Sequence, residues 1–495
     1  MGVEIPGLTA VGRTSVTFNG CPARPEKPST KTAKKAFKAL QNWGWVDKTE
    51  AGVVKSLAYQ AGRRKRGKVP DEKQLILLLD RCLKEYPRTS VPAWLELSDQ
   101  SLKAKIKSLM ANDVNKKAGP GVPLHAMGLG GNANLMEHEH EFIAECVLER
   151  IRLLRDADPQ GLSAVELVQQ GFCDPVRLFV KDEPHNRKKR LQGRCRLIAS
   201  VSLVDQLVER LLFTLQNKVE IATQKRGDPI PSKPGLGLSD DDQLHAIWKD
   251  VIRHGSLSDA AEADVSGFDW SVQEWEIMFD AKCRVFLAGT TEDSPFGRMV
   301  MRRAYCLTRA VLSTYDGWMY QCNIPGIQLS GSFNTSSTNS RIRFVIALLA
   351  GADWAITMGD DCVEQWVDGA EEIYASFGHP LKNYKRCGST FEFCSTVFSN
   401  TVCFPTDGTK TLYRLIEQKT ITAELLAQFF QEMRNCPKLD EMFDVVKMVM
   451  SSTDNDGSRD EETFSEAASP AAASSEIPAN LDSGFEGHAF ELFCI

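Results

Sequence analysis

The chain is poor in the features that would place it in a membrane or outside the cell. It carries fourteen cysteines, but no two stand in a Cys-x-x-Cys spacing. That gives neither a zinc knuckle nor a disulfide framework, so reduced thiols in a cytosolic protein are the simpler account. No run of about eighteen apolar residues is present, so no segment reads as a membrane-spanning helix. The first residues lack the apolar core of a secretory signal. Histidine is scarce, at eight in 495 residues. Its one cluster, His138-Glu139-His140-Glu141, puts the imidazoles at i and i+2. Such positions do not share a helical face, and the cluster reads as a solvated helix rather than a metal site. No internal repeat is visible. A strongly basic balance is also missing, since the formal net charge is −6.

That charge is unevenly spread. From Ser451 to Ile495 ten acidic residues face one basic residue, a net of −9, which leaves +3 on the first 450 residues. Within those, bases cluster early, as in Arg63-Arg64-Lys65-Arg66-Gly67-Lys68. A basic channel in a mildly charged body is compatible with a phosphate backbone. The run itself reads as a solvated or nucleic-acid-touching patch. Apolar content of 42% and charged content of 25% are those of a soluble globular protein with length for a sizeable core.

Residues 1–70 read as a basic arm with short helices. Residues 72–112 and 135–171 have helical spacing, separated by the turn-rich Gly119-Pro120-Gly121-Val122-Pro123. Val176–Val180 and Cys195–Ile198 read as strands flanking a basic loop, and 201–225 as a helix. Residues 260–400 alternate short strands and helices, and 411–450 are helical. Residues 451–495, rich in Ser, Ala, Pro and acids, are expected to be disordered, because they bury too little apolar surface to offset ordering entropy.

The most informative string is Gly359-Asp360-Asp361, set between Ala355–Met358 and Cys362–Glu364. Two apolar runs around a Gly-Asp turn read as a β-hairpin with both carboxylates at its tip. Upstream, Ala261–Val265 is a strand candidate that ends on Asp264, followed by Gly267 and a helix from Trp270 to Phe279. Neighbouring strands lie about 4.8 Å apart. Two carboxylates at about 4 Å repel by about 4 kcal/mol at an effective dielectric of 20. A pair of Mg²⁺ or Mn²⁺ ions relieves that repulsion, and oxygen ligands without His or Cys favour those ions over zinc. Either string alone is most simply a solvated turn or a helix cap; the ordered set is not.

Between them lies Ile327–Arg341, whose run of hydroxyl and amide side chains would make a poor core. Thr335 and Asn339 are four apart and share a helix face. Gly331 permits a backbone shape useful where a loop approaches a nucleotide. Asn339 and Asp269 are short hydrogen-bonding groups suited to a ribose 2′-hydroxyl. Lys181 and Arg196 flank strand-like segments that aim them inward, as triphosphate binding needs. Lys188-Lys189-Arg190 reads equally well as a solvated face. Cys362 and Cys394 read as small core residues.

In this order the residues resemble the RNA-dependent RNA polymerases of positive-strand RNA viruses, over about residues 115–450. Asp264 and Asp269 correspond to motif A. Ser330, Gly331, Thr335 and Asn339 correspond to motif B, and Gly359-Asp360-Asp361 to motif C. Lys181-Asp182-Glu183 with Arg194 and Arg196 looks like motif F, and Phe391–Ser395 like the motif E hairpin. Gly119–Pro123 resembles motif G without its usual Ser or Thr. The wording around Asp264 and Ser330 looks most like the sobemovirus, polerovirus and barnavirus group.

The resemblance implies an α+β right-hand fold of fingers, palm and thumb. It has an antiparallel palm sheet and is closed by N-terminal fingertips. Expected boundaries are 1–257 for the arm and fingers, 258–287 and 325–405 for the palm, 288–324 for a fingers insertion, 406–450 for the thumb, and 451–495 for the acidic tail. Asp264, Asp360 and Asp361 would hold two Mg²⁺ or Mn²⁺ ions. Lys382, preferred over Lys385, would serve as the motif D general acid. Asp269, Ser330, Gly331, Thr335 and Asn339 would bind the nucleotide, and Lys181, Arg194 and Arg196 its triphosphate. Implied partners are RNA template and product, NTPs, and a genome-linked protein or other viral replication proteins. The implied setting is the host-cell cytoplasm, at membrane-associated replication complexes reached through partners, with the chain a polyprotein product. The rivals are a reverse transcriptase, which would prefer dNTPs, and a non-catalytic RNA-binding replication subunit.

Overall fold

The computed structural model describes residues 3–237 and 240–454. The expectation for the acidic tail lies, from residue 455 onward, outside the described residues. The site is built on a four-stranded sheet. Its strands are β1 (Ala260–Val265), β2 (Ala355–Met358), β3 (Asp361–Gln365) and β4 (Leu381–Arg386), in spatial order β4-β1-β3-β2 and antiparallel throughout. Alternation explains how the sheet is covered on both faces. Ala263, Ala355 and Cys362 point to one side, against α2 (Glu274–Leu287) and α3 (Thr335–Leu349). Ile356 and Val363 point to the other, against the helix Asp241–Ile252 and the hairpin formed by Phe391–Phe393 and Thr396–Phe398. Small residues on the helix side let the large Phe279 and Phe344 fill the gap.

A second, mixed sheet joins distant segments. Its order is Leu8–Arg13, Trp318–Cys322, Val311–Ser313, Val176–Val180 and Leu197–Ser200, with one parallel pairing between Val176–Val180 and Val311–Ser313. The helix expected over 201–225 is α1 (Leu203–Lys225), capped by the Ser202 hydroxyl accepting from the Asp205 N–H. The helical end expected over 411–450 forms as Thr409–Ile416, Ala423–Glu432 and Leu439–Asp454. Among the described residues no helix is long and apolar enough to cross a membrane.

The arm over residues 1–70 carries short helices, Pro28–Ala36 and Glu50–Gly62, the latter capped by Thr49. The first 257 residues contribute to more than one core. Ala33, Phe37, Leu40 and Trp45 share a core with Leu412, Phe429 and Val446 at the C-terminal end. Leu78, Cys82 and Tyr86 pack behind the central sheet instead. The helix expected over Trp270–Phe279 is broken into Phe268–Ser271 and α2. The Val272 N–H still makes the helical bond to the Phe268 carbonyl, but the backbone turns extended at Val272 and Gln273 (ψ 133° and 158°), and Gln273 starts α2 afresh as its N-cap.

Candidate active site

The turn between β2 and β3 has two central residues, Gly359 and Asp360, because Met358 pairs with Asp361. Gly359 has φ +61°, the positive value such hairpin turns require at their first central position. Its N–H donates to the Ser340 hydroxyl of α3 at 2.9 Å, so the helix sets the height of the turn. Cys362 pairs with Ala263. Carried one step further, that register sets Asp361 against Asp264. By alternation both lie on the face of the sheet that carries Val363. Asp361 lies at the surface of the cleft. Protein packed around it, then the charges of Asp360 and Asp264, still push its carboxyl up to about 7. Beneath them lies Arg343, fully buried. It donates to the Asp360 carbonyl and the Ala263 carbonyl, both at 3.2 Å, and so ties β1 to the turn.

Lys382 sits at an irregularity in the pairing of β4 with β1, between Leu381 opposite Val265 and Asn383 opposite Asp264. The extra residue turns its ammonium onto Asp264, 2.5 Å away. The expected lysine thus stands in the site, bound to one of the carboxylates expected to hold metal.

Asp269 and Asn339 meet. The Asn339 amide donates to Asp269 Oδ1 at 2.8 Å, while the amide oxygen, buried, has no partner. Burial, then the Asp360 charge, raise Asp269 to about 6 against the opposing effects of Asn339 and Arg196. Asp269 thus feels the charges of both the turn and the basic loop.

Ser330, Gly331 and Thr335 are engaged differently from expectation. The Ser330 hydroxyl accepts from the Ala199 N–H at 3.0 Å, and the Gly331 N–H donates to the Ala199 carbonyl at 3.0 Å. A Cβ on Gly331 would stand 2.4 Å from that carbonyl. Glycine is needed there for close approach to a strand. The Thr335 hydroxyl bonds the Leu329 and Ser332 carbonyls, at 2.8 and 2.9 Å. All three therefore shape the loop that presents Asn339.

The basic side is built from two strands. The Lys181 N–H donates to the Arg196 carbonyl, which sets both residues at the open end of the pair Val176–Val180 and Leu197–Ser200. Burial and the Arg196 charge hold Lys181 below its ordinary range. Arg194 lies over the Tyr59 ring, 5.2 Å from its centroid, and Arg63 lies over the same ring at 5.4 Å. Lys410, on the helix Thr409–Ile416, reaches Glu183 at 3.1 Å. Lys188 and Lys189 are exposed, as a solvated face would be, whereas Arg190 packs against Gly44.

Sequence reasoning missed Arg343, Arg63, Arg64 and Lys410. Nothing in their local spelling separates them from surface bases; only their partners, far along the chain, do. Cys394, expected in the core, is half-buried at a turn with φ +52°, and burial, then the Asp361 and Asp360 charges, raise its thiol. It borders the carboxylates.

The carboxylates fit a divalent cation by charge. Burial, then the Asp360 and Asp264 charges, hold Asp361 toward its protonated form, and a cation would offset the charge repulsion. Among the described residues no three such groups form a ready-made cage, so binding would draw them together and displace Lys382.

Comparison with known proteins agrees with this geometry. The chain matches the family described as viral RNA-directed RNA-polymerase over residues 26–288 and 296–406. It is 41% identical over 425 residues to the replicase polyprotein P2AB of Southern cowpea mosaic virus, covering 83% of this chain and 44% of that protein. It is 34% identical over 396 residues to the RNA-directed RNA polymerase of Mushroom bacilliform virus, covering 71% of this chain and 93% of that one. The chain spans less than half the length of the polyprotein relatives it matches. In fold it is similar to the Sicinivirus 3Dpol RNA-dependent RNA polymerase, with a TM-score of 0.63 at 14% identity, covering 91% of this chain and 96% of that one.

Proposed function

Because the chain belongs to the viral RNA-directed RNA polymerase family, we propose that it copies an RNA template by nucleotidyl transfer from NTPs, replicating a positive-strand viral genome. One observation carries most weight. Asp264, Asp360 and Asp361 gather at the ends of adjacent strands, with the Asp269–Asn339 pair close enough for Asp269 to feel the charges of Asp360 and Arg196. Two Mg²⁺ or Mn²⁺ ions, held by Asp264 and Asp360 with Asp361 in support, would supply an activated 3′-hydroxyl and charge neutralisation at the triphosphate. Lys181, Arg194 and Arg196 hold the triphosphate through charge-assisted hydrogen bonds. Asp269 and Asn339 read the 2′-hydroxyl, and the unpartnered Asn339 oxygen is free to accept from it. Lys382, released from Asp264, donates a proton to the departing pyrophosphate. In this reading residues 258–287 and 325–405 form the palm and 406–450 the thumb. The chain is cut from a polyprotein and works in the host cytoplasm, at membrane-associated complexes reached through partners, a genome-linked protein among them.

The test is template-directed extension by purified protein with NTPs and Mg²⁺ or Mn²⁺, read on gels. Asp360→Ala is expected to abolish incorporation while leaving salt-dependent RNA binding intact. Unchanged incorporation would remove the assignment, and preference for dNTPs would make the chain a reverse transcriptase.

A further inference from the structure

The basic run Arg63–Lys68 has no task in the reaction above; Lys65, Arg66 and Lys68 are exposed, as a solvated patch would be, but Arg64 is not. Arg64 is inserted between two chain segments. It donates to the carbonyls of Trp270 at 2.6 Å and Val272 at 3.4 Å on one side. On the other it donates to Ile324 at 3.1 Å and Pro325 at 3.2 Å. The first segment follows Asp269 directly. The second leads, through Gln328, into Ser330. The two also bond each other: the Gln328 N–H donates to the Asp269 carbonyl at 2.8 Å and the Ile327 N–H to the Val272 carbonyl at 3.0 Å. The arm is fixed just beyond Arg64. The Gly67 N–H donates to Gln273 Oε1 at 3.1 Å, and the Gln273 amide donates to the Lys65 carbonyl at 3.2 Å.

The bridged junction is strained. Ile327 has φ +78°, a backbone conformation that a β-branched residue adopts only when its surroundings force it. The cause is packing. Its side chain is buried with Leu178, Tyr320 and Leu329, which fixes it while the next residue turns back to bond Asp269. Released, this junction would relax, and the Asp269 backbone would lose its Gln328 partner.

We propose that Arg64 is a positioning residue for sugar selection. By cross-linking the segment after Asp269 to the strained turn before Ser330, it holds the Asp269 carboxylate against Asn339, where a ribose 2′-hydroxyl is read. The inference rests on the polymerase reading and deepens it. Five donors in a planar fork suit one cation to several carbonyls, which an ammonium cannot span.

The test uses the full chain with Arg64→Met and Arg64→Lys, alone and with Ile327→Gly. The first readout is the ratio of kcat/KM for NTPs to that for 2′-dNTPs on one template. Both single variants are expected to lose roughly tenfold of that ratio, as small displacements at a reacting site do. Ile327→Gly, which removes the strain, is expected to restore most of it in the double variants. A generally weakened fold would lower both substrates alike and leave the ratio still, which would overturn the proposal. The second readout, hydrogen exchange, needs no turnover. Arg64→Met is expected to speed exchange at the Ile327 and Gln328 amides. If wild type incorporates no nucleotide but exchange responds, the polymerase reading falls and the bridge stands. If exchange does not respond, the bridge falls whatever the activity.

Discussion

Gly331 and Asn339, eight positions apart, make opposite demands on side-chain size. Asn339 must reach across to Asp269, while Gly331 must present nothing to the Ala199 carbonyl. Because the obstacle is a backbone oxygen in a sheet, the strand cannot step aside as a flexible side chain would. Gly331→Ala is therefore expected to displace the loop between Ser330 and Thr335. It should lower kcat/KM for NTPs at least roughly tenfold, with RNA affinity in filter binding nearly unchanged. Equal activity would show that the loop contact is dispensable. This scale was the most legible in the sequence. Asp264, Asp269, Asn339 and Asp360 are short polar groups at fixed spacings next to apolar runs. Arg64 and Arg343 were not legible: the partners of Arg64 are main-chain carbonyls that any sequence supplies, and Arg343 adds to such carbonyls a distant Tyr374 hydroxyl.

The helix α3 turns a run that looked unfit for a core into one. Ser337, Thr338, Ser340, Arg341 and Arg343 are all buried. Each finds a partner. Ser337 donates to Glu220, Thr338 to Asp280, and Arg341 pairs with Glu220 and Asp280. Arg284 closes the set through Asp280 at 2.8 Å. The run was read correctly as unusual. Its solution was hidden because the counter-charges come from α1 and α2, more than 50 residues away. Burial alone would raise Asp280, but the Arg284 and Arg341 charges and the hydrogen bonds from Arg284 and Thr338 outweigh it and hold its carboxyl below the ordinary range. With the folded value depressed, the group's contribution is complete only well above the unfolded value of about 3.9. It is lost as pH falls from about 5 through the depressed folded value. Asp280→Asn removes one member of a buried set and is expected to cost about 3–5 kcal/mol at neutral pH. Its stability should then fall less steeply than wild type under acid. Denaturant titration at pH 7, 5, 4 and 3 checks both; parallel acid limbs down to pH 3 would show that Asp280 is not the group that titrates.

At the scale of the molecule, the chain closes on itself. The sequence showed an N-terminal arm and a helical C-terminal block, but hid that residues near 26–45 complete the latter's core, because neither amphipathic pattern names the surface it faces. Glu417 joins them: it accepts from the Trp45 indole at 2.7 Å and from the Lys27 N–H at 3.2 Å. The Trp43 indole donates to Thr409 at 2.8 Å. The arm is thus one bridge from the C-terminal helices to the rest of the molecule, alongside the Lys410–Glu183 ion pair. Glu417→Ala leaves a buried indole N–H unpaired, at a cost of about 1–3 kcal/mol concentrated in that bridge. The carboxylates stand on a different core and are not disturbed. Addition of a single nucleotide to a bound primer should therefore stay near wild type, whereas the length of product made before dissociation should shorten. Extension begun in the presence of a heparin trap separates the two quantities. Products of wild-type length from Glu417→Ala would mean that closure does not depend on this contact, and a matching fall in single-nucleotide addition would mean that the two cores are coupled.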